Sequence, residues 1–520
     1  MHPDGRLAER PVSSNRSLLR PALVVTLCVA LGQVVGAVTQ MVIAAAFGAG
    51  ADLDSYLIAT TLPQFVIAVL MTALSFVLIP TFVEYSVAGH ESDAWKTANS
   101  VITLCMLLLA LLALMGMLSA KFHVRLVAPG SSSDSLSLAA KIAVVLWPTV
   151  LLTGAVNLLS SLYQAKNRFT WPAIVAALGS AANLVLILIL TRTTLGIESL
   201  AVSLLLSLVL QVVLLTPVLS GRFHPRIDWG DPGLRRIVSL LWPLICSSLV
   251  ARFTPVLERY LASDMGAGTI SQLGYAYKIV VLLAALISTG MGTVIFPTMA
   301  STVAKNDMAG LRRAVSQGFR MMWLGIAPVV AIGFALALPI TVVLFRRGAF
   351  SQADAAAVSR LLQAYLLSLI GMSLGSITGR TFYALKRTRL IAVMGGVSTL
   401  TYFGYAPLFA RHWGALGIAL ACVVLFNLDV IVNTVVIRAM TGKPRGTALM
   451  VSFVKTGLAA VVGGCAAWGI SRLVANVWAQ MVFGGAGGLA AYGGTLMIVR
   501  STELKTLAVI LLDKVGSRSA

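Results

Sequence analysis

Apolar runs of 18 or more residues recur along the whole chain, separated by short polar joints rich in Gly, Pro, Lys and Arg. Each is long enough to cross a hydrocarbon layer of roughly 30 Å as a helix. Breaking the chain at its joints predicts fourteen helices. They fall near residues 21–47, 55–85, 98–120, 139–165, 171–191, 198–221, 237–262, 271–302, 319–345, 355–385, 391–410, 414–439, 448–474 and 480–500. The runs lack the short apolar–polar alternation that barrel strands show. The pattern predicts an all-α polytopic membrane protein.

A second pattern lies over the first. Gly48–Thr81 and Gly266–Thr298 both open on Gly-Ala-Gly, place a Tyr near the start of a long apolar stretch and close on Pro-Thr. Pro80 matches Pro297, the joint at Tyr163 resembles that at Tyr383, and Leu195-Gly-Ile resembles Trp413-Gly-Ala, all at offsets of 217–220 residues. A fixed offset exposes a duplication. Six helices per copy is an even number, so the copies enter from the same side as parallel repeats, with a central cavity expected between them. The predicted organisation is a tail at 1–20, a six-helix bundle at 21–221, a linker at 222–236, a second bundle at 237–440, two extra helices at 448–500 and a tail at 501–520.

Composition agrees. Of 520 residues 58% are hydrophobic and 11% charged, with mean hydropathy +0.92, whereas soluble domains carry about 25% charged residues. The net charge of +21 would suggest nucleic acid in a soluble protein, but its placement points to the membrane. With the N-terminus in the cytoplasm, cytoplasmic joints collect about 25 Lys and Arg against about 7 outside, the bias that orients membrane proteins. Arg222/Arg226/Arg235/Arg236, Lys305/Arg312/Arg313 and Lys386/Arg387/Arg389 all fall on one side. Both termini are expected in the cytoplasm, and no nucleic-acid partner is expected. The basic start could imitate a signal peptide, yet the run 22–47 is about twice the length of a signal core. Five cysteines lie singly in apolar runs and read as buried hydrophobes.

Candidate chemistry sits on charges inside the apolar runs. There is no Walker A loop, no His-Glu-x-x-His and no zinc ligand set, so neither catalytic nor metal-binding residues are expected, and no cofactor. Arg252 and Arg259 are seven positions apart in the seventh helix and share a face. Lys278 lies about two turns inside the eighth, at a depth similar to Arg252. An intramembrane lysine costs about 2.5–3.5 kcal/mol on insertion scales, and clustered cations there call for an anion. Lys278, Arg252 and Arg259 are therefore the candidate substrate-binding residues. Arg259 also reads as a side chain reaching for the outer interface, and Arg252 as a poorly placed partner of Glu258. Asp54 reads as the cap of the second helix, or as a gate contact to a cation of the other repeat. Asp429, beside Asn427 and Asn433, and Glu258 complete the gate or coupling candidates.

The residues Phe47-Gly-Ala-Gly, Asp54-Ser-Tyr and Leu62-Pro63, with Gly274-Tyr-Ala-Tyr-Lys278, Phe296-Pro297 and Leu344 to Ser351, resemble the MurJ (MviN) lipid II flippases of the MOP exporter superfamily. The resemblance implies fourteen helices in the bacterial inner membrane and no enzymatic step. Its implied partners are an undecaprenyl-pyrophosphate-linked glycan, membrane lipids and cell-wall or polysaccharide assembly proteins. It also implies a cationic cavity for the pyrophosphate, in which Lys278 matches an arginine, a family aspartate at Asp54, and a tail groove on the last two helices. Where the family has basic residues, this chain has Gln33, Thr39, Thr61, Ile67 and Ala68. Energy is expected from the membrane potential or an ion, Na+ or H+. Other readings are a flippase for an exopolysaccharide or O-antigen oligosaccharide, a multidrug-type antiporter, or an inactive scaffold.

Overall fold

In the first half of the chain the hydrophobic runs form α1 (Asn15–Phe47), α2 (Ala51–Val87), α3 (Glu91–Leu118), α4 (Ala120–Val127), α5 (Ser133–Leu146), α6 (Pro148–Ala165), α7 (Thr170–Leu190) and α8 (Ser199–Leu215). The second half holds α9 (Pro232–Ala251), α10 (Thr254–Ala262), α11 (Thr269–Ala304), α12 (Met308–Ala335), α13 (Ala337–Phe345), α14 (Gln352–Ala384), α15 (Thr388–Thr441), α16 (Gly446–Leu473) and α17 (Val477–Ile498). This computed structural model describes residues 15–87, 91–219, 223–442 and 446–500; the expected terminal tails lie largely outside these.

Among the described residues twelve helices or helix pairs are long and apolar enough to cross a membrane. One of them, α15, contains Gly414 at φ 57 and ψ −138 and is two helices across a kink. Counting its limbs separately and adding the interrupted α9–α10 pair accounts for the fourteen expected segments. All the regular elements among the described residues are helical, as the bilayer demands when every backbone group must be satisfied within its own segment.

The chain divides into two compact units, each discontinuous in sequence. Of the described residues, one unit takes those within 1–42, 66–119 and 144–245, and the other those within 43–65, 120–143 and 246–520. In the first unit, α3 presents Ala94, Trp95, Ala98 and Ile102 to Leu159, Leu162 and Tyr163 of α6. The α3 positions recur at helical spacing and so form one stripe. Lys166 lies 4.5 Å from the centre of the Trp95 ring, a cation–π contact.

In the second unit α16 packs against both α12 and α17. Lipid tails are as apolar as leucine, so such helices hold together through close approach rather than water exclusion. Gly463 and Gly488 provide it: a Cβ on Gly463 would stand 2.8 Å from the Gly488 carbonyl oxygen. Leu324 and Ala327 of α12 meet Ala459, Ala460, Tyr492 and Leu496, and the Tyr492 hydroxyl donates to the Leu324 carbonyl at 2.7 Å. The last two helices, α16 and α17, are thereby fixed to α12.

Candidate functional site

The seventh segment is not one helix. It stops at Ala251 and restarts at Thr254, with Pro255 in the first turn of the new helix. Proline lacks an N–H and its ring clashes with the carbonyl four residues back, here Ala251. The break corrects the expectation that Arg252 and Arg259 share a face, since the register is lost between them. Pro255 was the available signal. Arg252 lies in the break with its side chain exposed. Phe253 beside it packs edge-on against Phe65 at 5.8 Å and Phe403 at 5.7 Å.

Arg259 ends α10 and turns toward α11. Its Nη1 donates to the Ile270 carbonyl at 3.2 Å, and its other terminal nitrogen would lie 3.9 Å from a Cβ built on Gly274. Lys278 is four positions beyond Gly274 and hence one turn deeper on the same face. Arg259 and Lys278 therefore lie on one side of α11, with Gly274 one turn before the lysine. Nine residues of α11 separate Thr269 from Lys278, about 14 Å along the axis, or about half a bilayer core. Lys278 is exposed at this depth. The structure thus pairs Lys278 with Arg259 rather than with Arg252.

Asp54 is buried, and its carboxylate does not serve α2. Its Oδ2 accepts the Gly268 N–H at 2.6 Å and its Oδ1 accepts the Ser271 N–H at 2.7 Å. It caps α11, whose own N-cap residue Gly268 has no side chain for the task. A carboxylate there satisfies two orphan donors and complements the helix dipole. Arg259 is also within electrostatic reach of Asp54 and of its neighbour Glu258. Backbone approach around this cap is tight. Gly268 has φ +88, and a Cβ on it would lie 2.5 Å from the Ala49 carbonyl oxygen. The Tyr275 hydroxyl donates to the Gly48 carbonyl at 3.1 Å, and the Ala349 N–H donates to the Ala45 carbonyl at 2.8 Å. The echoed Gly-Ala-Gly stretches are where these backbones meet.

Glu258 has a partner that no sequence argument identified. The Cys422 thiol donates to its Oε1 at 2.8 Å, with the Tyr402 hydroxyl 3.9 Å from the same sulfur. Cys422 is buried, as a lone cysteine in an apolar run should be, but it is also a polar contact; Cys465, in contrast, is exposed. Asp429 stands apart, accepting from the Ser398 hydroxyl and the Asn433 amide, both at 2.8 Å. Among the described residues no group of three or more His, Cys, Asp or Glu could hold a metal ion. Thr39 and Thr61 donate to the carbonyls of Val35 and Leu57 in their own helices.

A family model described as Lipid II flippase MurJ matches residues 43–484. The chain belongs to the MurJ family. Lipid II flippase MurJ of Burkholderia cenocepacia is 25% identical over 412 residues, which cover 76% of this chain and 80% of that protein. A solved structure of lipid II flippase MurJ in an inward closed conformation superposes with a TM-score of 0.80 at 20% identity, covering 92% of this chain and 98% of that one. The inward-facing structure of a multidrug resistance MATE transporter of the MOP superfamily gives 0.64 at 15% identity, over 82% and 99%. At these identities the structural matches show a shared fold, while the MurJ family model fixes membership. This member is a multi-pass membrane protein.

Proposed function

We propose that this chain is a flippase that moves lipid II across the bacterial inner membrane by alternating access. The observation that carries the reading is the MurJ match from residue 43 to 484. A flippase relocates its substrate and makes no covalent change in it, so the chain is a transporter and not an enzyme. The pairing of Lys278 with Arg259 suits a pyrophosphate. Two like cations at mid-bilayer depth repel each other, and a dianion between them turns repulsion into attraction. One unit pair at 4 Å is worth about 4 kcal/mol at an effective dielectric of 20. Arg259 uses Nη1 on Ile270, and a guanidinium carries five donors, which leaves four for phosphate oxygens.

The charge bias of the joints supports cytoplasmic termini. Glu258 and Asp429 are the carboxylates we assign to coupling with Na+, H+ or the membrane potential. The polyprenyl tail remains in lipid, and the cell-wall or polysaccharide assembly machinery is the expected recipient of the flipped substrate.

The test is rescue of a bacterium depleted of its own lipid II flippase. Growth restored by this chain, and lost with Lys278→Ala, supports the reading. Failure to rescue, with loss of surface polysaccharide when the native gene is deleted, moves the same mechanism to another polyprenyl-pyrophosphate glycan. The neutral side chains of Thr39 and Thr61 make that outcome worth measuring.

A further inference from the structure

A groove of about 520 Å³ opens in the second unit where α12, the end of α15 and the start of α16 diverge. α12 packs along α16 but meets α15 at few places. The groove floor is apolar: Val315, Phe319 and Ile437 are buried. Its rim carries Arg312 and Arg438, with Met450 exposed beside them.

Arg312 is half-buried and uses Nη1 on the Thr441 carbonyl. Arg438 is exposed in the last turn of α15. Among the described residues no carboxylate pairs with either. The nearby Asp307 is engaged instead, accepting the Gly310 N–H at 2.7 Å and lying 3.7 Å from Arg313. This end of the bundle also carries Lys305 and Arg313, so it is the end that the charge bias assigns to the cytoplasmic leaflet.

We propose that this groove holds one anionic phospholipid, its phosphodiester on Arg438 and Arg312 and part of an acyl chain on Val315, Phe319 and Ile437. Charge and shape both select such an amphiphile. Two guanidinium groups without acid partners call for phosphate, and basic pockets between membrane helices at the cytoplasmic face are where anionic headgroups bind. From Arg312 to Phe319 the groove runs seven residues, about 10 Å deep. Phe319 is the innermost residue of α12 that lines it, and this depth suits part of an acyl chain rather than the length of a polyprenyl tail. The site is independent of the transport reading, since it involves none of Asp54, Glu258, Arg259 or Lys278.

The experiment is native mass spectrometry of the purified, delipidated full-length protein titrated with phosphatidylglycerol, phosphatidylcholine or undecaprenyl phosphate. Phosphatidylglycerol is expected to bind in preference to phosphatidylcholine, and Arg438→Gln to weaken it about fivefold. Val315→Trp, which fills the groove and leaves both arginines in place, is expected to remove the same adduct, with melting curves confirming that each variant is folded. Equal binding of the two phospholipids overturns the proposal. So does an adduct that survives both substitutions, or one that undecaprenyl phosphate displaces at equal concentration.

Discussion

The carboxylate of Asp54 accepts the backbone N–H of Ser271 at 2.7 Å, across 217 positions of sequence. Together with the Gly268 contact it caps the helix that carries Lys278. The cap and the candidate anion site are therefore ends of one rigid rod: a change at Asp54 alters the start of α11, and Lys278 lies less than three turns further on.

Replacing Asp54 by Ala leaves two donors of α11 without an acceptor. Loss of an N-cap typically costs about 0.5–2 kcal/mol, and bonds to a charged acceptor lie at the upper end. Asp54→Ala should lower the unfolding temperature of the purified protein, and Asp54→Asn, which keeps a carbonyl oxygen, should lower it less. Equal losses would show that the carboxylate charge contributes nothing to the cap.

Gly268 is expected to tolerate no side chain. Gly268→Ala places a Cβ against the Ala49 carbonyl and holds an L-residue at φ +88, a strain of about 1–3 kcal/mol before the clash is counted. Gly266→Ala is the control, because Gly266 has φ +95 with nothing within 4 Å of its Cβ position. Thermal melts should rank wild type above Gly266→Ala, and Gly266→Ala above Gly268→Ala.

The three candidate cations should separate in a flippase-depletion assay. Lys278→Ala and Arg259→Ala are expected to abolish rescue, whereas Lys278→Arg retains the charge and should rescue in part. Arg252→Ala is expected to support growth, since its exposed side chain stands in the helix break. A null phenotype for Arg252→Ala at normal expression would return that residue to the binding set.

The thiol of Cys422 should matter through Glu258. Cys422→Ala leaves a half-buried carboxylate without this donor, at a cost of about 1–3 kcal/mol. Cys422→Ser keeps a donor in place and should cost less. Guanidinium or thermal unfolding of the two variants in the same detergent decides it; identical stabilities would mean that the contact at 2.8 Å carries no energy.

Much of this architecture was legible in advance. Gly414 lies at the joint expected between the eleventh and twelfth segments, and Gly48 and Gly268, in the echoed Gly-Ala-Gly stretches, stand where a Cβ would meet the backbone carbonyls of Ala349 and Ala49; the break before Pro255 went unread, since the seventh segment was expected to be one helix. The pairing of side chains was not legible. Arg259 rather than Arg252 accompanies Lys278 because a proline broke the register. Cys422 looked like any buried thiol until α15 brought it to Glu258. Asp54 was expected to cap its own helix or to meet a cation, and the N–H groups that donate to it, those of Gly268 and Ser271, lie at the start of another helix.

The division has a physical cause. A membrane helix satisfies its backbone within itself, so length and hydropathy alone settle where the segments are, and the distribution of Lys and Arg supplies the expected orientation. Which helix meets which, and which polar atom finds its partner, depends on close packing among surfaces that lipid would solvate equally well. Those choices were made only when residues 43–65 came to lie in the same compact unit as residues 246–520, and they place a cap, a thiol and two cations where hydropathy alone could not.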